Sequence, residues 1–358
     1  MRIVVAMSGG VDSSVAAALL AEQGHDVIGV SMQLYDNAGG PDGEGAFGSC
    51  CSIDDLHDAR RVATAIGIPH YILNLERQFN ERVVSNFVGE YAAGRTPLPC
   101  THCNSDLKFT TLLERATGFG ADAVATGHYA RVERSPAGAC QLRRGKDPAK
   151  DQSYFLFALT QTQLARAVFP VGDHPKDAVR AYAHSRQLPV ASKPDSQEIC
   201  FIPDHDYAAF VTRHAPPVHG GEVVDETGRV LARHGGIHRF TVGQRKGLGI
   251  SSSPTGAPMY VLALRPQDQQ VVVGPRAALE RTRLTASGVN WIEGLPQGSR
   301  RASVQIRHRH PAAPATIRAV DDDRAEVIFD QPQLAITPGQ AAVFYDGDVV
   351  LGGGWIDN

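Results

Sequence analysis

The chain has 358 residues, a formal net charge of −3 and a sequence pI of about 6.5. This length predicts two or three domains with well-buried cores. The near-neutral charge excludes binding of nucleic acid through the global field, so local basic patches would have to hold such a partner.

The composition predicts neither a membrane protein nor a secreted disulfide scaffold. No apolar stretch reaches the roughly 18 residues that a membrane span needs. The chain begins without the basic, apolar and cleavage regions of a signal peptide, so we expect a cytoplasmic protein without a membrane partner. In a reducing compartment its cysteines would be metal-binding, redox-active or simply buried. They are Cys50, Cys51, Cys100, Cys103, Cys140 and Cys200.

Strand and helix patterns alternate in the first 130 residues. The predicted strands cover residues 3–6, 26–34, 69–75 and 122–126, and the predicted helices cover 15–21, 52–66, 77–93 and 106–117. Such alternation favours an α/β fold with a doubly wound parallel sheet. Ligands bind such sheets at the carboxyl ends of the strands. This rule brings residues 7–14, 32–35 and 126–128 to one rim.

Residues 36–50 are predicted to form a loop beside the rim, and residues 154–188 have a helical pattern. The pattern changes after residue 207. Short β runs follow, which favour antiparallel structure and a small barrel at the C-terminal end. They cover residues 221–231, 261–264, 270–273, 283–286, 302–306, 315–319, 324–328, 340–345 and 349–354. We therefore predict a catalytic domain over 1–206, a small central domain over 207–278 and a C-terminal β-barrel over 279–358.

A Ser- and Gly-rich bend, SGGVDSS at residues 8–14 (the SGG loop), joins the first predicted strand to the first helix. A bend of this kind presents backbone N–H groups and hydroxyls to an anion at the positive helix end. An ordinary tight turn with a serine cap would give the same pattern. The bend contains no lysine, so it is not the Walker loop that holds β- and γ-phosphates.

The SGG loop instead resembles the pyrophosphate loop (PP-loop) of the ATP pyrophosphatases, which split ATP between the α- and β-phosphates and adenylate a substrate. The resemblance implies ATP as cofactor, with Mg²⁺ at Asp12, because Mg²⁺ takes carboxylate oxygens alongside substrate phosphates. For Ala6 and Met32, core packing is the alternative interpretation. The implied ATP-binding residues are Ala6, Met7, Ser8, Gly9, Gly10, Val11, Asp12, Ser13, Met32 and Gly127.

A C-x-x-C pair, Cys100 and Cys103, is the second chemical feature. Zinc, redox and structural interpretations of a lone pair are all open, although no second pair follows at zinc-finger spacing. Asn104 is a fair N-cap residue for the next predicted helix. We therefore expect Cys103 at a helix N-terminus, where a thiolate is favoured.

Several longer motifs resemble those of the tRNA 2-thiouridylases (the MnmA/TrmU family), and they occur in that family's order. They are MSGGVDSSVAA (7–17), PCTHCN (99–104) followed by LKF (107–109), ATGHYAR (125–131), KDQSYFL (150–156), KPDSQEICF (193–201) and GQRKGLGI (243–250). The resemblance spans most of the first 250 residues.

This resemblance implies 2-thiolation of the wobble uridine, position 34, in tRNAs for Lys, Glu and Gln. ATP adenylates the C2 oxygen of the uridine, and a persulfide on Cys200 delivers the sulfur. Cys103 is the implied nucleophile, and its attack leaves a Cys103–Cys200 disulfide that an outside reductant opens. A cysteine desulfurase, acting through a relay, is the implied sulfur donor.

The chain departs from the family pattern near the nucleophile. Some members carry an Asp three residues before it and an Asn nearby, where this chain has Cys100 and Leu98. Any acid–base role of that Asp therefore does not carry over. Cys100, Cys103 and Cys200 could instead hold a 4Fe–4S cluster with one open iron, or Cys100 could be a bystander.

Basic residues are candidates for contact with tRNA phosphates, although any single one could be a solvated surface charge. The candidates are Arg131, Arg143, Arg144, Lys146 and Lys150, and Arg307, His308, Arg309 and His310 near the C-terminus. Arg307 and His308 fall where the family has an Arg-aromatic pair that contacts tRNA. The resemblance adds His128, Asp151, Gln152 and Gln340 as tRNA contacts.

Two other functions remain open from the sequence. The chain could be another PP-loop adenylating ligase, which would need neither Cys103 nor Cys200. It could also be a non-catalytic RNA- or metal-binding protein, which would bind tRNA without releasing AMP.

Overall fold

The computed structural model describes residues 1–35, 53–195, 199–202, 206–215, 219–250 and 256–357. The chain forms two compact units. The first unit comprises Met1–Val84, Pro99–His205 and Asp348–Val350, and the second comprises Ser85–Leu98, Asp206–Gly347 and Leu351–Asn358. The loop predicted over 36–50 lies outside the described residues. None of the helices described is both long and apolar enough to cross a membrane.

A five-stranded parallel sheet forms the centre of the first unit, as the alternating pattern predicts. The strands of this unit are β1 (Arg2–Ala6), β2 (Asp26–Gln33), β3 (His70–Asn74), β4 (Ala123–Thr126), β5 (Ala130–Arg134), β6 (Cys140–Arg144) and β7 (Ala167–Val168). The order in the parallel sheet is β3-β2-β1-β4-β7. In β1, every residue after Arg2 is buried, as expected of a strand covered on both faces.

Helices follow the strands, with two π-helical segments, Asn80–Val84 and Cys103–Phe109, inserted between α-helices. The α-helices are α1 (Val11–Glu22), α2 (Ile53–Ile66), α3 (Glu76–Phe79), α4 (Ser85–Ala92), α5 (Pro99–His102), α6 (Thr110–Gly118), α7 (Gln161–Leu164), α8 (Lys176–Ser185) and α9 (Tyr207–His214).

The helix α1 lies between two apolar clusters of the first unit. Its residues Ala17 and Leu20 pack with α2 and the sheet, while Val11 and Val15 pack with α8. The helix ends at Glu22, one residue beyond the predicted end, and Gly24 after it has φ +81° and donates its N–H to the Ala21 carbonyl at 3.0 Å. These contacts fix the direction of α1 and therefore of its N-terminal end at the rim.

The second unit contains a four-stranded sheet and a barrel. The strands of the sheet are β8 (Gly221–Asp225), β9 (Val230–His234), β10 (Tyr260–Arg265) and β11 (Gln270–Gly274), in the order β10-β11-β8-β9. Two antiparallel hairpins are joined edge to edge by the parallel pair β11 and β8. The antiparallel prediction is therefore wrong for that one pair, because the local pattern does not contain the pairing between hairpins.

The last six strands form the predicted antiparallel barrel. They are β12 (Glu280–Trp291), β13 (Ser299–Gln305), β14 (Ala313–Ala319), β15 (Ala325–Leu334), β16 (Ala341–Asp346) and β17 (Val349–Ile356). Their order is β12-β15-β14-β13-β16-β17, and β17 pairs with β12 to close the barrel. Closure removes the free edges that an open sheet would leave.

Two predictions about the first unit are wrong in detail. The helical pattern predicted for residues 154–188 contains the short strand β7, whose two residues are too few to give a strand pattern. The hairpin of β5 and β6 is missing from the predicted elements, because its strands are rich in arginine. Arg131 and Arg143 are nevertheless accommodated there, since both form ion pairs with Asp348.

Unfolding of the barrel should change the tryptophan fluorescence, because the only two tryptophans of the chain, Trp291 and Trp355, lie on barrel strands. Fluorescence can therefore measure how a substitution in the barrel core changes stability. Ile317→Ala removes a fully buried side chain and should lower the free energy of unfolding by about 2–5 kcal/mol. Val320→Ala, at a side chain that is 53% exposed, is the control and should change it by less than about 0.5 kcal/mol. The free energy of unfolding is measured by urea titration with fluorescence detection. Equal values for the two variants would contradict this packing.

Candidate active site

The SGG loop has a backbone conformation that requires glycine at residue 9. Gly9 has φ +72°, and a Cβ at this position would lie 2.2 Å from the carbonyl oxygen of Asp55. The loop therefore lies directly against the first turn of α2. A side chain at residue 9 would separate these two segments.

The hydroxyl groups of the loop hold its own backbone. Ser13 Oγ accepts the Ser8 N–H at 3.2 Å, and Ser14 Oγ donates to the Gly10 carbonyl at 2.8 Å. The helix α1 begins at Val11, so residues 11–14 of the SGG loop form its first turn. The first N–H groups of a helix have no intrahelical partner, so the end of α1 is suited to an anion.

Gly127 brings the end of β4 against the SGG loop. A Cβ on Gly127 would lie 2.5 Å from the Ser13 nitrogen and 2.6 Å from the Asp12 carbonyl carbon. The close approach for which this glycine is needed is therefore to the loop backbone. Contact of Gly127 with ATP stays a prediction.

The four apolar residues predicted to contact ATP are all buried around the loop. Ala6 ends β1 and Met7 follows it, while Val11 begins α1 and Met32 lies near the end of β2. Burial at these positions is what core packing requires. Their contact with adenosine stays a prediction.

Asp12 is neutralised within the protein. Lys176 Nζ donates to both of its carboxylate oxygens, at 2.7 and 2.8 Å, and Tyr129 donates its hydroxyl to Oδ1 at 2.8 Å. Lys176 is 7% exposed at the first position of α8. Burial raises the pKa of Tyr129 far above its ordinary value, and the negative charge of Asp12 adds to the effect. The phenol therefore remains a hydrogen-bond donor.

A magnesium ion would fit at Asp12 only together with other ligands. It would have to displace the Lys176 ammonium from the carboxylate. In the part of the chain that the structure describes, no three His, Cys, Asp or Glu side chains come together as a metal site. Phosphate oxygens and water would have to complete the coordination, which is how Mg²⁺ is usually held beside a nucleotide.

Asp195 lies on the other side of Lys176. Its carboxylate forms ion pairs with Lys176 at 2.8 Å, with Lys150 at 2.7 Å and with Arg180 at 2.5 Å. Burial raises the pKa of Asp195, but the hydrogen bonds from Lys150 and Lys176 outweigh it and lower this pKa to about 2. Asp195 is therefore ionised near pH 7. One buried ammonium is shared between two carboxylates.

A second lysine ties the same segment to the loop. Lys193 Nζ donates to the Gly9 carbonyl at 3.1 Å and to the carboxylates of Asp55 and Asp58 at 2.5 and 2.6 Å. Burial lowers the pKa of Lys193, but the hydrogen bonds to the two carboxylates outweigh it and raise the pKa. The lysine therefore stays charged.

The sequence argument missed these contacts of Tyr129, Lys176, Lys193 and Asp195. Lys193 and Asp195 belong to the KPDSQEICF motif, but the motif by itself does not indicate that they reach the SGG loop. Lys176 appears in the sequence only as part of a helix start. Its role depends on a contact between residues 164 positions apart.

Cys103 lies inside a helical run and does not begin one. The run starts with α5 at Pro99 and continues through the π-helical segment to α6. Asn104 is not an N-cap, because its side chain donates to the Phe155 carbonyl at 3.2 Å and accepts from Lys108 at 3.0 Å. The prediction of Cys103 at a helix N-terminus is therefore wrong. Proline is favoured at the first position of a helix, so Pro99 allows the helical run to begin one turn earlier.

The cysteines differ in exposure. Cys103 is 8% exposed and Cys140 is 3% exposed, whereas Cys100 is exposed and Cys200 is intermediate. Within the described ranges, Cys100, Cys103 and Cys200 do not come together as a three-ligand metal site, so the side chains as arranged do not fit a 4Fe–4S cluster. Cys50 and Cys51 lie outside the described residues.

The segment of Cys200 is held at the rim of the sheet. Tyr35, just beyond β2, donates its hydroxyl to the Cys200 carbonyl at 2.9 Å. Phe201 is buried, and its ring contacts that of Phe79 edge-on at 5.5 Å between centroids. The backbone around Cys200 is therefore anchored from both the strand and the helix side.

His128 follows Gly127 at the end of β4. Its Nδ1 lies 2.7 Å from Thr126 Oγ1. Desolvation holds the pKa of His128 well below its ordinary value, and the nearby ammonium of Lys108 lowers it further. The imidazole is therefore neutral near pH 7. Lys108 also belongs to the π-helical segment of Cys103, so this segment lies close to the rim.

Asp151 and Gln152 hold the turn that follows β6. The Asp151 carboxylate accepts an ion pair from Arg144 at 2.6 Å and the N–H of Ser153 at 3.1 Å. Gln152 Oε1 accepts the N–H of Tyr129 at 3.0 Å. Both side chains support local structure, and their contact with tRNA stays a prediction.

The basic candidates of the first unit are largely paired. Arg131 and Arg143 share the carboxylate of Asp348, at 2.5 and 2.8 Å. Lys146 pairs at 3.1 Å with Asp173, and both side chains are more than half exposed. To contact a phosphate, each of these cations would have to leave its carboxylate or be shared between the carboxylate and the phosphate.

The candidates of the second unit differ in accessibility. Arg307 is exposed and donates to the Leu334 carbonyl at 3.3 Å, while His308 is half-buried. Gln340 is buried, and its amide donates to the Thr96 carbonyl at 3.0 Å. Of these three, Arg307 has the accessibility that contact with RNA needs.

Comparison with known families gives a match along nearly the whole chain. Residues 1–204 match the tRNA methyl transferase HUP domain, residues 208–275 the tRNA methyl transferase PRC-barrel domain, and residues 281–356 the aminomethyltransferase beta-barrel domain.

The chain is similar over its full length to relatives named tRNA-specific 2-thiouridylase MnmA. It is 53% identical to that of Geotalea uraniireducens, with 100% of this chain and 95% of the relative covered. It is 55% identical to that of Solibacter usitatus, with 99% of each covered. It is 53% identical to that of Geobacter metallireducens, with 99% and 96% covered.

The difference in exposure predicts an order of alkylation among the cysteines. A short treatment with N-ethylmaleimide should label Cys100 first and Cys200 next, while Cys103 and Cys140 react only after longer times or unfolding. Mass spectrometry of the digested protein would measure the extent at each site. Labelling of Cys103 as fast as Cys100 would contradict the burial of the former. A urea-unfolded sample is the control, because all four should then react at similar rates.

Proposed function

Because the chain belongs to the tRNA-specific 2-thiouridylase (MnmA) family, we propose that it replaces the C2 oxygen of the wobble uridine of tRNAs with sulfur, at the expense of ATP. The substrates that we propose are the tRNAs for Lys, Glu and Gln. Such a substrate points to a cytoplasmic enzyme.

The observation that carries the proposal is the contact with the SGG loop of residues that shortly precede Cys200; these residues, 193–195, and the described residues 199–201 are here called the Cys200 segment. Lys193 donates to the carbonyl of Gly9 in the loop, and Asp195 reaches Asp12 of the loop through Lys176. An ATP-using loop and a sulfur-carrying cysteine have to act on one atom of the substrate. Their physical connection within one unit supports a reaction that uses both.

Adenylation solves a problem of reactivity at the uridine. The C2 carbonyl is a poor electrophile, and its oxygen is a poor leaving group. Attack of this oxygen on the α-phosphate of ATP forms a C2–O–P bond and releases pyrophosphate. The end of α1 and the N–H groups of the SGG loop are suited to hold the pyrophosphate. Mg²⁺, when bound with the nucleotide, would neutralise phosphate charge beside Asp12.

Sulfur then replaces the activated oxygen. The terminal sulfur of a Cys200 persulfide attacks C2, and AMP leaves with the former C2 oxygen. The thiolate of Cys103 attacks the Cys200 sulfur, which breaks the S–S bond and leaves the transferred sulfur on the uridine. The product is a Cys103–Cys200 disulfide, and an external dithiol returns it to two thiols. A sulfur-relay partner reloads Cys200.

No step of this proposal passes through an iron–sulfur cluster, because the described cysteines do not fit one. Since Cys103 is buried, we propose that its segment rearranges when the flipped uridine enters. Arg307 and Lys150 are proposed to contact tRNA phosphates, and His128, Asp151, Gln152, His308 and Gln340 remain proposed contacts.

An anaerobic assay tests the proposal. Purified protein receives ATP, Mg²⁺, an unmodified tRNA-Glu transcript and a persulfide donor, and mass spectrometry measures AMP, pyrophosphate and the wobble nucleoside. We expect AMP together with an oxygen-to-sulfur mass shift. Cys200→Ser and Cys103→Ser should abolish the shift, whereas the control Cys140→Ala should retain it.

The other outcomes identify the alternatives. AMP formation that is independent of both cysteines would favour an adenylating ligase. Tight tRNA binding without AMP, despite a competent donor, would favour a non-catalytic RNA-binding protein.

The nucleotide site can be tested separately with two glycines that flank α1. Gly9→Ala should weaken binding of α,β-methylene-ATP with Mg²⁺ by about tenfold or more, because its Cβ would meet the Asp55 carbonyl and deform the SGG loop. Gly24 also has a positive φ, but its Cβ would have nothing within 4 Å, so Gly24→Ala should leave affinity within about twofold. Calorimetric titration measures both. Equal affinities in the two variants would remove the SGG loop from nucleotide binding.

A further inference from the structure

The Cys200 segment and the SGG loop are joined by shared charge. We propose that Lys176, held between Asp12 of the loop and Asp195 of the Cys200 segment, is a positioning residue that couples nucleotide occupancy to the placement of Cys200. The inference rests on the proposed nucleotide site and goes beyond it, because it assigns a role to residues outside the loop and the cysteines.

The ammonium of Lys176 is shared between the carboxylates of Asp12 and Asp195, an arrangement here called the Lys176 bridge. Its ammonium lies 2.7 Å from Asp12 and 2.8 Å from Asp195, and its side chain is 8% exposed. In such a place an ammonium needs carboxylates around it, because its desolvation is costly. Lys176 is therefore bound to these two acids and is little screened by solvent.

Asp195 can lose this partner without being left uncompensated. Lys150 and Arg180 also form ion pairs with its carboxylate. Asp12 differs, since Lys176 is the cation paired with it in the described residues. A change at Asp12 therefore acts on Lys176 first, and through Lys176 on Asp195.

The chain limits how far Cys200 can lie from this bridge. Cys200 is five residues after Asp195, and an extended chain spans about 3.6 Å per residue, so their Cα atoms lie within about 18 Å. On the far side, Tyr35 and the packing of Phe201 hold the segment. The placement of Cys200 therefore depends on anchors at both ends, one of which is Asp195.

A triphosphate in the SGG loop would change the charge at Asp12. Its oxygens bring several negative charges to the end of α1, one residue from Asp12. The Lys176 ammonium would be attracted to them, and its contact with Asp195 would weaken. Asp195 would then keep two of its three ion pairs, those with Lys150 and Arg180, so the attachment before Cys200 is weaker and the thiol becomes more accessible when nucleotide is present. AMP has no β- and γ-phosphates and should have a much smaller effect.

The test follows the alkylation rate of Cys200 in the full-length protein by mass spectrometry of its peptide. Saturating α,β-methylene-ATP with Mg²⁺ should raise this rate about fivefold in the wild type, within the range of typical couplings between sites. AMP should leave it nearly unchanged. In Asp195→Asn, which removes the charge that all three cations pair with, the rate without nucleotide should already reach at least the nucleotide-bound wild-type rate and should not rise further. Asp195→Glu keeps the charge and should restore the response.

A matched control exists at the other end of the same two helices. Glu22, the last residue of α1, pairs at 2.8 Å with Arg186 just after α8. Glu22→Gln removes an ion pair between α1 and the α8 region but does not touch the bridge, so it should keep the wild-type response. If Asp195→Asn fails to fold, Lys176→Gln replaces it and should show the same nucleotide-insensitive rate.

Two results would overturn the proposal: a wild-type rate that does not respond to nucleotide, or a full response in the folded variant that lacks the bridge. Failure of the proposed function looks different, since sulfur would then be absent from tRNA even when Cys200 responds to nucleotide. Sulfur transfer together with an insensitive Cys200 would remove only the coupling.

Discussion

The neutralisation of Asp12 is the interaction on which the arrangement of the site depends. A carboxylate beside the end of α1 needs a cation, and that cation is the buried Lys176. Because the same ammonium also pairs with Asp195, the requirement for charge balance joins α1, α8 and the segment before Cys200. Removing Lys176 would leave Asp12 without the cation paired with it, whereas Asp195 would keep its ion pairs with Lys150 and Arg180.

Two glycines allow close backbone contacts that hold the SGG loop, and with it Asp12, in place. Gly9 lets the SGG loop lie on α2, and Gly127 lets the end of β4 lie on the loop. Lys193 adds hydrogen bonds across the contact between the SGG loop and α2, because its ammonium donates to both Gly9 and Asp55. The loop is thus fixed by backbone contacts on two sides and by ammonium groups on two others. This rigidity suits a site that must receive a phosphate without rearranging its backbone.

Several side chains proposed to bind tRNA already have partners inside the protein. Asp151 and Gln152 hold turns, and Lys150 neutralises Asp195. Binding of RNA by Lys150 would therefore compete with an internal ion pair, so its energetic contribution to affinity would be a difference between two interactions. The exposed Arg307 has no such ion pair among the described contacts, and its contribution would be closer to that of a simple phosphate contact.

The sequence by itself determined the parallel sheet, the position of the SGG loop, the C-terminal barrel and the family, because these depend on local periodicity and on motifs within short stretches. It did not determine the hairpin of β5 and β6 or the helical surroundings of Cys103, where arginine-rich strands and a π-helical segment depart from the usual local patterns. Only the tertiary structure decided the bridge of Lys176 between Asp12 and Asp195, and the contact of Lys193 with Gly9. These contacts join residues far apart in the chain, and a lysine at a helix start has the same sequence pattern whether it faces solvent or two buried carboxylates.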